Sequence, residues 1–186
     1  SQEVWNDKVR DAISADQFLN NFTDQIRNTD SSGNVILEES INSLGLNNAY
    51  FITTYSTASA SELVINSLSS YIDVMVVGKT TRGKQVGSIT LYDSDNLQRT
   101  GDNLNTSHTY AMQPLVLEIS NKDNVNYPEG IIPGSAAFPG IEIGEDYANL
   151  GVLGERSEPL LDRTLIYITT GAKTSNKTSN SYNFNE

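Results

Sequence analysis

The chain has 186 residues, enough for one domain with a sizeable core, and its 37% apolar content is low but globular. A net charge of −11, spread over scattered acidic residues, argues against a nucleic-acid or anionic-membrane partner. No stretch of about 18 or more apolar residues offers a membrane span, and with no cysteine and a single histidine, His108, thiol chemistry, disulfides and histidine clusters are excluded.

The opening SQEVWNDKVRD shows no basic segment leading into an apolar one, so no signal peptide is visible. Ser14 and Gln17 stand at capping-box spacing, and Phe18, Phe22 and Ile26 recur every fourth residue, which predicts a helix over about 15–27. Asp30 to Asn34 reads as a surface turn, and its spacing does not match a calcium loop. A short helix is expected within Val35–Leu46, followed by a strand over Ala49–Thr54 whose lack of polar alternation suits a central, doubly covered position.

Small residues from Ser56 to Ser61 then make a tight turn into a helix, with Leu63, Val64, Leu68 and Tyr71 near one face. Val74–Val77 is a second apolar strand, and a loop from Lys79 to Gly83 delivers Lys84. A strand over Val86–Tyr92, a polar loop over Asp93–Ser107 and an edge strand over His108–Ile119, interrupted by Pro114, come next. Asn121–Gly144 reads as loop, and Pro159 opens a last helix with an apolar stripe of Leu161, Leu165 and Ile168. Residues 173–186 are low-complexity and polar, and are expected to be a disordered tail. Strands and helices alternate, so the class is α/β.

Chemistry concentrates between Tyr55 and Ser88. A hydroxyl at a strand-to-helix turn lies beside free helix N–H groups, which favour developing negative charge. A lysine on the loop after the next strand returns to the same edge if the two strands are parallel neighbours. Serine needs a base to take its proton, and a lysine can serve when burial holds it neutral. The apolar strand before Lys84 and Val86 after it suit that role, and Arg82 would add like-charge pressure if it points there. Taken alone, Ser59 reads as a helix cap and Lys84 as a surface lysine.

Thr57-Ala-Ser-Ala-Ser-Glu62, the helix after it, Val76-Val-Gly78 and Thr81-x-Gly-Lys84 together resemble the active-site segment of the carboxyl-terminal processing peptidases, or tail-specific proteases, in a Bacteroides-type variant. Lys84 stands 25 positions after Ser59, the separation that the family shows. The segments His108–Pro114, Tyr127–Pro133 and Gly154–Leu161 extend the likeness, which covers roughly residues 49–171.

The resemblance implies a ClpP/crotonase-like protease core of which this is the C-terminal portion only, with residues 1–172 as that part of the catalytic domain. It implies Ser59 as nucleophile, Lys84 as general base and the backbone N–H of Ala60 as an oxyanion donor, with neither metal nor organic cofactor. Where many members place a lysine-orienting glutamine, this chain has Ser88, so Ser88 takes that role or the pair works as a dyad. Gln85, next to the lysine, is expected to point elsewhere. The family's D-L-R-x-N-x-G-G segment, source of a second oxyanion amide, and its PDZ domain are missing. An N-terminal remainder of the same protease is therefore an expected partner, beside a protein or peptide substrate, and the chain alone is expected to lack a complete site. An extracytoplasmic location, in the periplasm or cell envelope, follows from the family. Glu62 is expected to offset the helix dipole and His108 to be scaffold. The alternatives are a catalytically inactive binding module on the same fold, or a serine–lysine amidase or esterase.

Overall fold

The structure, a computed structural model, describes residues 1–172, so the expected tail at 173–186 lies outside the described residues. In chain order the elements are β1 (Gln2–Trp5), α1 (Asp7–Ala12), a 3-10 turn (Ala15–Phe18), β2 (Gln25–Thr29), β3 (Val35–Ser40), β4 (Asn48–Thr53), α2 (Ala60–Leu68), β5 (Asp73–Gly78), β6 (Val86–Ser88), β7 (Leu115–Ser120), β8 (Gly140–Glu142) and α3 (Pro159–Thr170). The chain sorts into two compact units, 1–47 with 86–124, and 48–85 with 125 onward. The architecture is mixed α/β, as the alternation predicts.

The second unit is built on a parallel sheet in the order β4-β5-β8. β5 is its middle strand, and Val74, Val76 and Val77 on it are buried because the strand is paired on both sides. Here the structure corrects the sequence reading: β4, expected to be central, pairs only with β5 among the described residues, and its Ile52 is exposed. Ile65 of α2 packs against Val74, Val76, Ile131 and Phe138 to form the core. α2 buries Glu62, Ile65, Asn66 and Ser67, a face rotated away from the expected one, so Val64 and Tyr71 are exposed. Asn66 can turn inward because its Nδ2 donates to Gln85 Oε1 and to the Val125 carbonyl, both at 2.9 Å.

At α3, Glu158 caps the helix by accepting from the Leu160 and Leu161 N–H groups, Pro159 occupies the first turn, and Gly171 ends it in the left-handed region. The helix buries Leu160, Arg163 and Thr164 and sets Tyr167 edge-on to Tyr50 of β4; the expected stripe is therefore shifted, and Ile168 is exposed. β8, within a stretch read as loop, is recruited by pairing Gly140–Glu142 with Val76–Gly78.

Tyr127 packs edge-on against Phe138 with ring centroids 4.9 Å apart, and this burial raises its phenol pKa above the ordinary value of 10.0. The folded state thus favours the neutral phenol. Its contribution is fully present below pH ~10 and is lost as pH rises through the raised folded value. We expect Tyr127→Phe to flatten the alkaline fall in stability while leaving stability at pH 7 nearly unchanged, as read from denaturant midpoints between pH 7 and 11.

In the first unit, β1, β7 and β6 form an antiparallel sheet in the order β1-β7-β6. The helix expected over 15–27 is instead a single 3-10 turn followed by β2, and Ser14 makes no side-chain cap. The segment expected to be helical after Val35 is β3, hairpin partner of β2. The turn decides both. Asp30 accepts from Asn34 Nδ2 at 3.0 Å and from the Asn34 and Ser32 N–H groups at 2.9 Å, which closes the chain back on itself and, through the Asn34 side chain above all, holds the Asp30 carboxyl below its usual pKa. Phe22 and Ile26, the stripe of the expected helix, are exposed. Among the described residues no helix is long and apolar enough to cross a membrane.

Candidate active site

The register of the parallel pair positions the site. Thr53 at the end of β4 lies opposite Gly78 at the end of β5, so the Thr54–Ser59 turn and the Lys79–Lys84 loop leave the sheet from the same edge. Thr53 Oγ1 donates to the Lys79 carbonyl at 2.8 Å, and the Arg82 N–H donates to the Thr57 carbonyl at 2.9 Å, which stitches the two segments together.

Ser59 has φ 57 and ψ −116. A side chain with a Cβ adopts that backbone at a cost of about 1–3 kcal/mol, and at this sharp strand-to-helix turn Ser59 and Glu62 form a capping box, the serine side chain toward the Glu62 N–H and the glutamate accepting from the Ser59 N–H. Ser59 is exposed, as is Ala60, which begins α2. The Ala60 N–H has no acceptor among the described residues, so a backbone donor stands free immediately after the serine.

Glu62 does more than its expected role requires. It stands in the first turn of α2, where its charge meets the helix dipole as expected, but it is fully buried and its carboxylate reaches beyond the helix. Oε2 accepts from the N–H of Ser59 at 2.9 Å and of Lys84 at 2.8 Å, while Oε1 accepts from the N–H of Gly83 at 2.6 Å and from Thr81 Oγ1 at 2.5 Å. One carboxylate therefore holds the main chain of Ser59 and of Lys84. Thr81 is itself buried and accepts from the Ile131 N–H at 2.8 Å. Gly83 has φ +76, and a Cβ there would stand 1.9 Å from the Pro128 carbonyl oxygen. The sequence signal for this network was present in the E of S-A-S-E and the T-x-G of T-x-G-K, but an acidic residue in a first helical turn has a simpler reading.

The Lys84 side chain is exposed, so the burial expected to favour its neutral form is not supplied by the described residues. No hydrogen bond joins the Ser59 and Lys84 side chains among the described residues. Arg82 lies over the Tyr55 ring, 4.9 Å from its centroid, which engages its charge there. Gln85 points into the core, as expected, toward Asn66 and the Tyr127 carbonyl. Ser88 belongs to the other unit, on β6, where its Oγ accepts from Gln113 Nε2 at 3.2 Å. His108, in the same unit, has Nε2 3.3 Å from Asp93 Oδ2 and accepts from the Tyr110 N–H at Nδ1. Hydrogen bonds from Asn105 and His108 hold the Asp93 carboxyl below its usual pKa.

A cleft of about 310 Å³ adjoins the turn, lined by Phe51, Ile52, Val64 and Ile65 together with Thr53, Thr57 and Ser61. Its lining is mostly apolar, with Thr57 and Ser61 close to Ser59 in the chain. Among the described residues no group of acidic or histidine side chains is arranged to hold a metal ion.

A parallel sheet with a strained serine at one strand-to-helix turn and a lysine on the neighbouring loop defines a mixed α/β protein with a candidate serine–lysine site. No family model matches the chain, and no curated protein is similar to it at a significant level. Among solved structures, the chain is similar to a protein from Bacteroides fragilis NCTC 9343 described as an S41 protease, with a TM-score of 0.52 and 24% identity. The match covers 69% of this chain and 29% of that one, so this chain spans under a third of its length. At that identity the likeness supports the fold.

Proposed function

We propose that the chain is the C-terminal part of the catalytic domain of a serine endopeptidase of the tail-specific type, within residues 1–172 and with a ClpP/crotonase-like core. The observation that carries this reading is the strained turn at Ser59 followed by the free Ala60 N–H. Ser59 Oγ attacks the carbonyl carbon of a peptide bond while Lys84 Nζ takes the hydroxyl proton. The Ala60 N–H donates to the oxyanion that forms. The C–N bond then breaks, Lys84 returns the proton to the leaving amine, and water hydrolyses the acyl-enzyme by the same steps. A second oxyanion donor comes from an N-terminal remainder of the same protease. The apolar cleft takes an apolar substrate side chain. The protein works outside the cytoplasm, in the bacterial periplasm or envelope, and needs no cofactor.

The second reading is an inactive binding module, favoured by the exposed Lys84 and by the lack, among the described residues, of a hydrogen bond between the two side chains. A panel of peptides and esters, assayed with the longest natural chain that carries these residues, separates the readings. Peptide cleavage that disappears in Ser59→Ala supports the peptidase. Cleavage of esters alone overturns it in favour of an esterase, and ligand binding that survives Ser59→Ala without turnover of either substrate leaves the binding module.

A further inference from the structure

Resting on the peptidase reading, we infer that Glu62 is the positioning residue of the site: it fixes the lysine-bearing loop against the serine turn without touching substrate. A glutamate serving only the helix dipole needs no partner beyond its own first turn. Glu62 is instead fully buried and reaches a loop about twenty residues further along the chain, meeting Thr81, Gly83 and Lys84 there. Its four partners are all donors, one hydroxyl and three backbone N–H groups, and they match the four acceptor positions of a carboxylate. An amide at the same place would turn its NH2 toward N–H groups. Thr81 extends the brace into the core, because the hydroxyl that donates to Glu62 also accepts from Ile131. The two residues that must meet in the reaction are therefore tied through their backbones to one oxygen atom, and geometry at that precision governs rate.

The test compares the rate of covalent labelling by a fluorophosphonate, resolved into saturating rate and half-saturation concentration, in the longest natural chain. Glu62→Gln should lower the saturating rate about 100-fold with half-saturation nearly unchanged. Glu62→Ala, which leaves a cavity lined by four donors, should recover part of the lost rate in formate or acetate, while Glu62→Gln, with the cavity filled, should not. If both variants fail to fold, Thr81→Val and Thr81→Ser give the same answer: the valine should be about tenfold slower and the serine close to wild type. A Glu62→Gln protein that labels at the wild-type rate on Ser59 overturns this inference and leaves the peptidase reading standing. A wild-type protein whose labelling is indifferent to Ser59→Ala overturns the peptidase reading, and the inference with it.

Discussion

Ser59→Ala lowers the kcat of peptide hydrolysis by about 10⁴-fold or more, and Lys84→Ala comes close to the same loss. The size follows from the roles. Without Oγ there is no acyl-enzyme, and without Nζ the hydroxyl keeps its proton, so either change removes the covalent route as a whole. The double variant should then be little worse than either single one, because groups that act as a unit lose their effect together. Unfolding temperature should hold or fall slightly in Ser59→Ala, which keeps a Cβ at φ 57 and loses the serine side of the α2 capping box, whereas Ser59→Gly would release the cost of that backbone. A Lys84→Ala protein that hydrolyses peptides at the wild-type rate would remove the lysine from the mechanism.

A single added methyl group at Gly83 is expected to cost stability and activity together. Gly83→Ala would place a Cβ 1.9 Å from the Pro128 carbonyl oxygen and 2.8 Å from the Gly130 nitrogen, both main-chain atoms that cannot rotate away. The φ of +76 adds strain of its own. The loop must move, and with it the N–H groups that Gly83 and Lys84 give to Glu62. We expect at least about 3 kcal/mol of destabilisation, seen as a fall of several degrees in Tm, with loss of activity larger than the fall in stability explains. A Gly83→Ala protein with wild-type Tm and rate would show that this loop does not hold the site.

The segment from β4 to Lys84 was legible because its signals are local. Two apolar runs, a cluster of small residues between them and a lysine after the second specify strand, turn, helix, strand and loop within 37 residues of β4's first, Asn48. The inward face of α2 was not legible, since Glu62 and Asn66 occupy it and read as surface residues until the partners that satisfy them are in view: Thr81 and Gly83 for one, Gln85 and Val125 for the other. In the first unit a helical spacing of Phe18, Phe22 and Ile26 lost to the turn that Asp30 closes, because Phe22 and Ile26 stay exposed among the described residues and local hydrogen bonding decides. β8 escaped notice for a third reason. Gly140-Ile-Glu has no pattern of its own, and its pairing with β5 is a long-range contact.

The most direct test of the account is the residue that carries the label after reaction with a fluorophosphonate, identified by intact mass and peptide mapping of the longest natural chain. The account predicts a single adduct, on Ser59, with none in Ser59→Ala. A protein that takes no label, or takes it on another residue, would contradict Ser59 as the nucleophile and move the weight to the binding module.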